Sequence, residues 1–391
     1  MRITHLSLTD FRNYRHLELR LPPHLVVIYG DNAQGKTNLL EAVHMLATTK
    51  SHRASSDREL VHHLAAEENP PFSRLLAEVQ RARGDLKIEI ILRLERAETT
   101  GAGGTVALPP SVVPVRKRIR INDVARRAID VVGQVNVVMF SAQDIDLITG
   151  TPAFRRRYLD LVSCQTDWRY LRCLQRYNRV LLQRNHLLKL LQEHQAQPEQ
   201  LEFWDRELVE NGSYIIAQRQ RLVAKLNELA QGIHQELSTA ERLELVYIPN
   251  VATGGSPSGI ESHFQRALHQ SRGRETSQGM TVVGPHRDNL EFRGNGSDMS
   301  KYGSRGQQRT VALSLKLAET KYMHAQVGDP PILLLDDVFS ELDRSRRQHL
   351  LESIIPFQQV LITAVDIDYL EPSLLDQAAR LRVREGIIEP A

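Results

Sequence analysis

The chain has 391 residues, of which 41% are hydrophobic and 25% charged, an ordinary balance that supplies a packed core and predicts a globular protein. The chain is longer than most chains that fold around a single hydrophobic core, which predicts two domains. The formal net charge is only +3, which excludes bulk charge as the source of any affinity for polyanions, so such affinity must come from local clusters.

Nothing in the sequence has the pattern of a signal peptide or a membrane span. The N-terminal stretch is charged and periodic, and no apolar run approaches the roughly 20 residues that cross a bilayer. Cys164 and Cys173 lie nine residues apart in one predicted helix, roughly 13 Å along its axis and beyond disulfide reach. The sequence therefore predicts a reduced, cytoplasmic protein without a membrane partner.

The first 150 residues contain strand-like and helix-like patterns. Alternating and then continuous apolar residues predict strands, and the segment 99–114, rich in Gly, Thr and Pro, is expected to be a loop between two strands that pair. The predicted elements are strands within 2–30 that end in the buried run 25–29, a helix over 36–47, strands over 86–95 and 115–123, and a strand over 135–140.

The middle of the chain has helical periodicity. Thr151-Pro152 has the composition of a helix start, and the absence of Gly and Pro as far as Glu193 predicts a helix of about 40 residues, roughly 60 Å long. A second helix is predicted from about 199 to 237. The two could form an antiparallel arm, or several shorter helices could form a compact subdomain; the sequence leaves both alternatives open.

The C-terminal third returns to strands alternating with helices, which predicts a mostly parallel α/β sheet. After a Gly/Ser/Pro-rich break beyond 249, its predicted elements are strands over 280–284 and 289–292, a helix over 307–324, a strand over 331–337, a helix from 343, and strands over 359–364 and 380–386. One α/β domain, residues 1–150 and 276–391, is therefore interrupted by a helical domain over 151–275.

A glycine-rich loop with the spacing GxxxxGK[ST] lies between the apolar run 25–29 and the first helix. Its glycines allow successive amides to turn inward as a nest for phosphate, and the helix N-terminus adds positive potential. The predicted nucleotide-binding residues are Gly30, Asp31, Asn32, Ala33, Gln34, Gly35, Lys36 and Thr37. Lys36 would reach the β- and γ-phosphates of ATP and Thr37 would ligate Mg²⁺, whereas an ordinary strand-to-helix turn is the alternative.

The apolar strand over 331–337 ends in two carboxylates, Asp336 and Asp337. Alone it would be a core strand that ends in solvent, but together with a phosphate loop the pair predicts catalytic chemistry. Asp336 would hold Mg²⁺ through water, and Asp337 would orient or deprotonate the attacking water. These two and Lys36 are the predicted catalytic residues, and Thr37 and Asp336 are the predicted metal ligands.

The helix before this strand opens with a turn that consists of Ser304, Arg305, Gly306 and Gln307. Such a turn can receive phosphate on its free amides, although alone it is most often a capped surface helix. The order of phosphate loop, Ser-x-Gly-Gln turn, Asp-Asp strand and the Ser-Glu-Leu-Asp segment 340–343 is similar to that of ABC ATPases. This resemblance implies an ABC-type P-loop head, split in sequence by a mainly α-helical insertion, whose signature turn seals the nucleotide of a second copy in a homodimer.

Over its whole length the chain resembles the RecF family. Besides the phosphate loop, the strings that carry the resemblance are "LTDFRNY" (8–14), "KSHR" (50–53), "DLITGTPAFRRRYLD" (146–160), "VVGPHRDNLEF" (282–292), "SRGQ" (304–307) and "LLDDVFSELD" (334–343). The resemblance implies an ABC-type head with a helical second lobe, ATP-dependent dimerisation, binding to gapped DNA, and cooperation with RecR, and through it RecO, in loading recombinase. It also implies a weak, DNA-stimulated ATPase that works as a switch in recombinational repair and replication.

Two positions depart from the usual ABC pattern. Most ABC ATPases have a catalytic Glu where this chain has Asp337, and a carboxylate one methylene shorter sits about an ångström farther from the water, which predicts slow hydrolysis. Thr363-Ala364 stands where the ATPase subunit of a transporter, one alternative function, would have a switch histidine. Gln143 is our candidate for the glutamine that senses the γ-phosphate, and an ordinary surface residue is the alternative there.

Basic residues form several clusters, although a solvated face explains any single cluster better than DNA binding does. The clusters are Arg116-Lys117-Arg118-Arg120, Arg126-Arg127, Arg155-Arg156-Arg157 and Arg344-Arg346-Arg347, with Arg53 as a further candidate. The sequence has no zinc finger, aromatic RNA-recognition motif or helix-turn-helix pattern. DNA contacts would therefore be to phosphates, independent of sequence and steeply salt-dependent.

The remaining signals carry less. The "HRD" string at 286–288 lacks the downstream Asp-Phe-Gly of a kinase and is interpreted as structural or coupling. His62 and His63 are adjacent, a spacing that does not suit a transition-metal site, so Mg²⁺ is the metal we expect. A scaffold with a structural nucleotide stays a third alternative, and it predicts that DNA has no effect on nucleotide exchange or hydrolysis.

Overall fold

A computed structural model describes residues 1–62, 71–95, 98–101, 104–107, 114–238, 241–254, 257–367 and 370–390. The chain forms two compact units, Met1–Ala142 together with Met323–Ala391, and Gln143–Tyr322. The domain limits predicted from the sequence are 150 and 276, whereas the second unit also contains residues 143–150 and 276–322. The signature turn therefore belongs to the second unit.

The strands of the described residues are β1 (Arg2–Phe11), β2 (Tyr14–Arg20), β3 (His24–Tyr29), β4 (Phe72–Gln80), β5 (Leu86–Leu94), β6 (Glu98–Gly101), β7 (Gly104–Ala107), β8 (Val115–Ile121), β9 (Val124–Arg126), β10 (Val137–Ser141), β11 (Leu243–Ile248), β12 (Asn289–Gly294), β13 (Ser297–Asp298), β14 (Ile332–Asp336), β15 (Gln359–Ala364), β16 (Ala379–Arg384) and β17 (Ile387–Pro390). The α-helices are α1 (Lys36–Thr48), α2 (Asp146–Thr149), α3 (Pro152–Thr166), α4 (Trp168–Gln192), α5 (Leu201–Leu237), α6 (Pro257–Gln278), α7 (Met299–Tyr302), α8 (Arg305–Val327), α9 (Arg344–Ile354) and α10 (Pro372–Leu375).

A mainly parallel sheet of the order β10-β14-β15-β3-β16-β17 forms one layer of the first unit, and its last strand is antiparallel to its neighbour. Its central strands are continuous apolar runs, which is typical of parallel strands buried on both faces. The register pairs Tyr29 with Ala364, and Asp336 with both Thr363 and Ser141. The predicted parallel sheet is confirmed, and its carboxyl edge positions both the glycine-rich loop and the two carboxylates.

An antiparallel sheet of the order β2-β1-β4-β5-β8-β9 forms the second layer. The predicted pairing of 86–95 with 115–123 is confirmed, with Ile90 opposite Ile119. The buried faces of both sheets share one core with α1, whose residues from Leu39 to Thr48 are all buried. The expected loop over 99–114 contains a hairpin of β6 and β7, while residues 102–103 and 108–113 lie outside the described part of the chain.

Helices dominate the second unit, but the single helix predicted over 151–193 is wrong. The predicted helix is interrupted at Asp167, whose extended backbone ends α3. The Asp167 carboxylate caps α4 by accepting hydrogen bonds from the amides of Arg169 and Tyr170 at 2.8 and 3.2 Å. The second predicted helix is confirmed as α5. Its Gly212 allows close packing, because a Cβ there would lie 2.6 Å from Phe264 and 2.9 Å from Tyr177.

The region between 249 and 289 also differs from the prediction. The Gly/Ser/Pro-rich break contains α6, and the strand predicted over 280–284 is irregular because side chains take up its amides. The Thr281 amide donates to Asn185 Oδ1 and the Val282 amide to Glu275 Oε1, both at 2.8 Å. The predicted strand over 289–292 is confirmed as β12, which pairs with β11, a strand that was not predicted.

Within the described ranges, no helix combines the length and apolar composition required to cross a bilayer.

Candidate active site

The glycine-rich loop joins the end of β3 to the start of α1, and both of its glycines are required by their surroundings. Gly30 has φ +146°, and a Cβ there would lie 2.3 Å from the carbonyl oxygen of Val383. Gly35 has φ +117°, and a Cβ there would lie 2.5 Å from Asn13 Nδ2. Side chains at either position would therefore meet both backbone strain and a steric clash.

The Lys36 side chain folds back over this loop. Its ammonium donates hydrogen bonds to the carbonyl oxygens of Gly30, at 2.5 Å, and Asp31, at 2.7 Å. Burial lowers the pKa of Lys36, and the charges of Asp337, Asp336 and Asp31 act in the opposite direction. The ammonium thus lies inside the loop, next to the carboxylates, where a polyphosphate would meet it.

Asp336 brings together residues from three neighbouring segments of the first unit. Its Oδ1 accepts hydrogen bonds from the hydroxyl groups of Thr37 and Thr363, both at 2.8 Å. Thr37 and Asp336 are 299 residues apart in sequence. Their proximity follows from the sheet register, which places β14 and β3 on either side of β15. The two predicted metal ligands are therefore adjacent in the structure.

Asp337 has an unusual backbone conformation for a side-chain-bearing residue, with φ +52°. Its amide donates to Thr363 Oγ1 at 3.0 Å, and its carbonyl accepts from Ser340 Oγ at 2.7 Å. Burial raises the pKa of Asp337, a hydrogen bond from Ser340 lowers it, and the charge of Asp336 raises it further. A strained, half-buried carboxylate beside a phosphate loop is a characteristic of functional sites.

Asn13 and Tyr14 support the loop by hydrogen bonds to its carbonyls, a role that no motif in the sequence predicts. Asn13 Nδ2 donates to the Gln34 carbonyl at 2.8 Å, and Asn13 Oδ1 accepts from Asn38 Nδ2 at 2.9 Å. The Tyr14 hydroxyl donates to the Gly35 carbonyl at 2.9 Å. Both residues belong to the string "LTDFRNY", which is one of the strings that carry the family resemblance. That resemblance pointed to the segment but gave no physical role for either side chain.

The hairpin turn between β16 and β17 and a buried ion pair complete this support. The Glu385 amide donates to Gln34 Oε1 at 2.6 Å. Glu41, fully buried in α1, accepts from the Arg12 guanidinium at 2.7 and 2.8 Å. Burial alone would raise the pKa of Glu41, but hydrogen bonds from Arg12 and Ser51 lower it overall. A buried carboxylate therefore anchors the turn before Asn13 to the helix after the loop.

The signature turn, in the second unit, is a capping box at the start of α8. The Ser304 amide donates to Gln307 Oε1 at 2.8 Å, and the Gln307 amide donates to Ser304 Oγ at 3.3 Å. Ser304, Arg305 and Gln307 are exposed. Packing does not explain the glycine between them, because a Cβ on Gly306 would meet only Ser304 Oγ, at 4.0 Å. Gln143, also in the second unit, is exposed on a short 3₁₀ turn.

The "HRD" string is built into the interior of the second unit. Asp288 is fully buried and accepts hydrogen bonds from Arg219 Nη1 at 3.0 Å, from the Asn250 amide at 2.8 Å and from the Tyr247 hydroxyl. His286 lies 2.6 Å from the Tyr177 hydroxyl, and burial lowers its pKa to about 4. These contacts bear out a structural role. His63 lies outside the described residues.

The basic clusters separate into internal and exposed groups. Arg155 is buried and donates to the carbonyls of Leu147 and Ile148 at 2.9 and 2.7 Å, so at least this member of its cluster is bound within the protein, whereas Arg157 is exposed. In contrast, Arg116, Arg118 and Arg120 alternate along β8 and are all exposed on one face of the antiparallel sheet. Among the described residues, no carboxylate forms an ion pair with Arg118.

Known proteins resemble the chain over its whole length. The family model described as "AAA domain" matches residues 5–243. "DNA replication and repair protein RecF" of Herpetosiphon aurantiacus is 47% identical over 100% of both chains, and that of Chloroflexus aurantiacus is 43% identical over 99% of both. The solved structure of the recombination mediator protein RecF-ATP in the RecFOR pathway has a TM-score of 0.86 at 31% identity, over 100% of this chain and 97% of that one.

A more distant likeness concerns the fold alone. The SMC head bound to the C-winged helix domain of ScpA has a TM-score of 0.55 at 14% identity, over 100% of this chain and 97% of that chain. The two-layer head, the phosphate loop and the Asp-Asp strand define a P-loop ATPase fold of the RecF and SMC-head kind. The full-length matches are more specific. The chain belongs to the RecF family of DNA replication and repair proteins.

Proposed function

We propose that the chain is an ATP-dependent DNA-binding switch of recombinational repair and replication. ATP and Mg²⁺ would join two copies into a homodimer that clamps gapped DNA, and slow hydrolysis would open it again. The observation that carries this proposal is the convergence of Lys36, Thr37, Asp336 and Asp337 at one sheet edge. The solved relative named RecF-ATP supports the choice of nucleotide.

The residues at this edge fit a magnesium nucleotide. Thr37 and Asp336 are oxygen donors 2.8 Å apart, the ligand type that Mg²⁺ prefers. Among the described residues no cluster of three or more His, Cys, Asp or Glu side chains could hold a metal, which suits an ion that keeps waters and phosphate oxygens as ligands. When bound, the ion would neutralise charge on the phosphates, while Lys36 binds them and Asp337 orients the attacking water.

The signature turn supports the shared site of a homodimer. Gly306 leaves open space at the N-terminus of α8, and neither its packing nor its φ explains a glycine there. Close approach of an external group, such as a phosphate held by a second copy, gives this glycine a reason. One chain has one phosphate loop and one signature turn, so two copies would form two shared sites.

The exposed arginines of β8 support sequence-independent DNA binding. Arg116, Arg118 and Arg120 repeat every second residue on one face of the antiparallel sheet, a spacing that can follow a phosphate backbone, and Arg116 and Arg120 also pair with Glu95 and Glu89. A low net charge of +3 favours such local attraction over a general one. The solved relative belongs to the RecFOR pathway, which supports the cooperation with RecR and RecO that we propose for this chain as well.

Two variants and one control test the proposal by light scattering with and without ATP and Mg²⁺. Lys36→Ala should abolish both ATP binding and ATP-induced dimers, because the phosphates lose their ammonium. Ser304→Arg should keep ATP binding but block dimers, because a long cation fills the open turn. Ser277→Arg, at an exposed position of the same unit, should behave as wild type.

A wild-type chain that stays monomeric at ATP concentrations far above its Kd would refute the clamp. Equal loss of ATP binding in the Lys36 and Ser304 variants would show that the turn does not act across copies. A rate of ATP hydrolysis that does not change when gapped DNA is added would favour the scaffold alternative. Steady, rapid ATP hydrolysis would favour the transporter alternative. Membership of the RecF family argues against that alternative.

A further inference from the structure

The side chain of Gln307 is held at both ends of its amide. Its Oε1 accepts from the Ser304 amide at 2.8 Å, and its Nε2 donates to Glu241 Oε1 at 3.0 Å. The first contact closes the signature turn, and the second ties that turn to the segment between α5 and β11. Because an amide group is planar, fixing both ends fixes its orientation.

Glu241 is itself held by the interior of the second unit. Its Oε2 lies 3.2 Å from His234 Nε2, and His234 is fully buried near the end of α5. The other ring nitrogen of His234 lies 3.1 Å from Ser314 Oγ, on the third turn of α8. A continuous line of polar contacts thus runs from the exposed turn into α5 and back to α8.

The backbone leaves room for this carboxylate. A Cβ on Gly294, the last residue of β12, would lie 2.6 Å from Glu241 Oε1 and 2.4 Å from Met299 Sδ. The Glu241 side chain is only 9% exposed, and its contact with His234 is partly buried, whereas its hydrogen bond to Gln307 lies at the surface of the unit. A hydrogen bond to a charged group is stronger than one between neutral groups. Nothing in the sequence around Glu241 indicates this role.

We propose that Glu241 is a positioning residue for the signature turn. It would hold the Gln307 amide so that Ser304 and Gln307 face outward in the geometry that receives the γ-phosphate from a second copy. Through His234 it would also couple that geometry to α5. This inference rests on the proposed ATP-dependent homodimer, but its first test does not depend on dimerisation.

Hydrogen exchange of the nucleotide-free chain provides the first test. Glu241→Ala should speed exchange at the Ser304 amide about tenfold, because Gln307 loses one of its two anchors. Glu244→Ala is the matched control, since Glu244 is exposed on β11 three residues away. Unchanged exchange in Glu241→Ala, in a chain that melts like wild type, would overturn the proposal.

Dimerisation provides the second test, as a double-mutant cycle. Glu241→Ala and Gln307→Ala should each weaken the ATP-induced dimer about tenfold, and the double variant should be no weaker than Gln307→Ala alone. Multiplying effects would show that Glu241 acts independently of Gln307 and would overturn the proposal. Glu241→Gln, which keeps an acceptor for Gln307, should restore dimerisation to within about twofold of wild type.

The two tests separate failure of this inference from failure of the proposed function. If the wild-type chain does not dimerise with ATP, the proposed function fails while the exchange result still decides whether Glu241 orders the turn. If the wild type dimerises and Glu241→Ala dimerises equally well, the proposed function stands and the positioning role is refuted.

Discussion

Individual polar residues outside the glycine-rich motif hold the phosphate loop in position. Asn13 and Tyr14 donate to the backbone carbonyls of Gln34 and Gly35, and the Glu385 amide of the last hairpin donates to Gln34 Oε1. The motif alone predicted Lys36 and Thr37 because those residues are contiguous with the glycines. Asn13 lies 21 residues before Gln34, so only the folded chain reveals that they bond.

Replacing Asn13 with Ala should weaken ATP binding about tenfold. The variant loses two hydrogen bonds that fix the loop, and about 1–2 kcal/mol of preorganisation corresponds to roughly that factor. Titration with a fluorescent ATP analogue measures the change. Asn178→Ala, at an exposed position of α4, is the control, and an unchanged Kd in the Asn13 variant would show that the loop holds itself.

Asp337, the proposed catalytic carboxylate, is expected to lower the stability of the folded chain at neutral pH. Burial raises its pKa, so the folded chain favours the protonated form of this carboxyl group. A group with a raised pKa contributes stability at acid pH that is lost as pH rises through the folded-state value. At neutral pH the ionised carboxylate is therefore destabilising, which is common for residues kept for function.

Replacing Asp337 with Asn should lower ATP hydrolysis by about 100-fold or more while raising the melting temperature of the nucleotide-free chain at neutral pH. The stability gain should shrink towards acid pH, where wild-type Asp337 is protonated as well. Calorimetry at several pH values and a phosphate-release assay measure the two effects. A variant that melts earlier than wild type at neutral pH would contradict the burial argument.

The observed helices and strands match the predicted ones where the apolar pattern is long. They differ from the predicted ones where a single side chain ends a helix or bonds to the backbone. The central parallel strands were predictable because they are nearly continuous apolar runs. The break between α3 and α4 depends on the single carboxylate of Asp167, which apolar periodicity does not register. The missed α6 does carry buried Ile260, Phe264 and Leu268 four residues apart, but its glycines concealed the pattern.

Replacing Asp167 with Ala should destabilise the second unit by about 1–2 kcal/mol, because α4 loses its N-cap. The Tyr214 hydroxyl would also lose its acceptor, which lies 2.7 Å away. Urea unfolding measured by circular dichroism gives the difference. Asp167→Asn keeps an oxygen for the cap and should lose much less, whereas equal losses in the two variants would assign the effect to the charge.

At the scale of the whole molecule, the proposed function links ATP and DNA through one closed dimer. If ATP and DNA each favour that dimer, each must tighten binding of the other by the same factor. In the proposed function, the exposed arginines of β8 would supply the phosphate contacts that this linkage requires. Membership of the RecF family establishes the chain as a DNA replication and repair protein. The proposed clamp is inferred from the geometry of the phosphate loop, the Asp-Asp strand and the signature turn.

Gapped DNA should therefore lower the Kd for a nonhydrolysable ATP analogue by the factor by which the analogue lowers the Kd for DNA. Both DNA affinities should fall steeply with salt, because phosphate contacts release counterions. Fluorescence anisotropy at about 50 and 200 mM salt measures all four constants. Unequal factors would mean that the two ligands do not stabilise the same state.

The sequence by itself determined the class of fold, the phosphate loop and the carboxylate pair, because these depend on contiguous residues and local periodicity. It could not decide which distant side chains meet. The 2.8 Å contact between Thr37 and Asp336 required β3, β14 and β15 to be aligned in one sheet. The support of the loop by Asn13 required the β1–β2 turn of the other sheet to lie against that loop. The tertiary structure decided these contacts because a hydrogen bond depends on distance in space, and the chain's order along its length does not fix that distance.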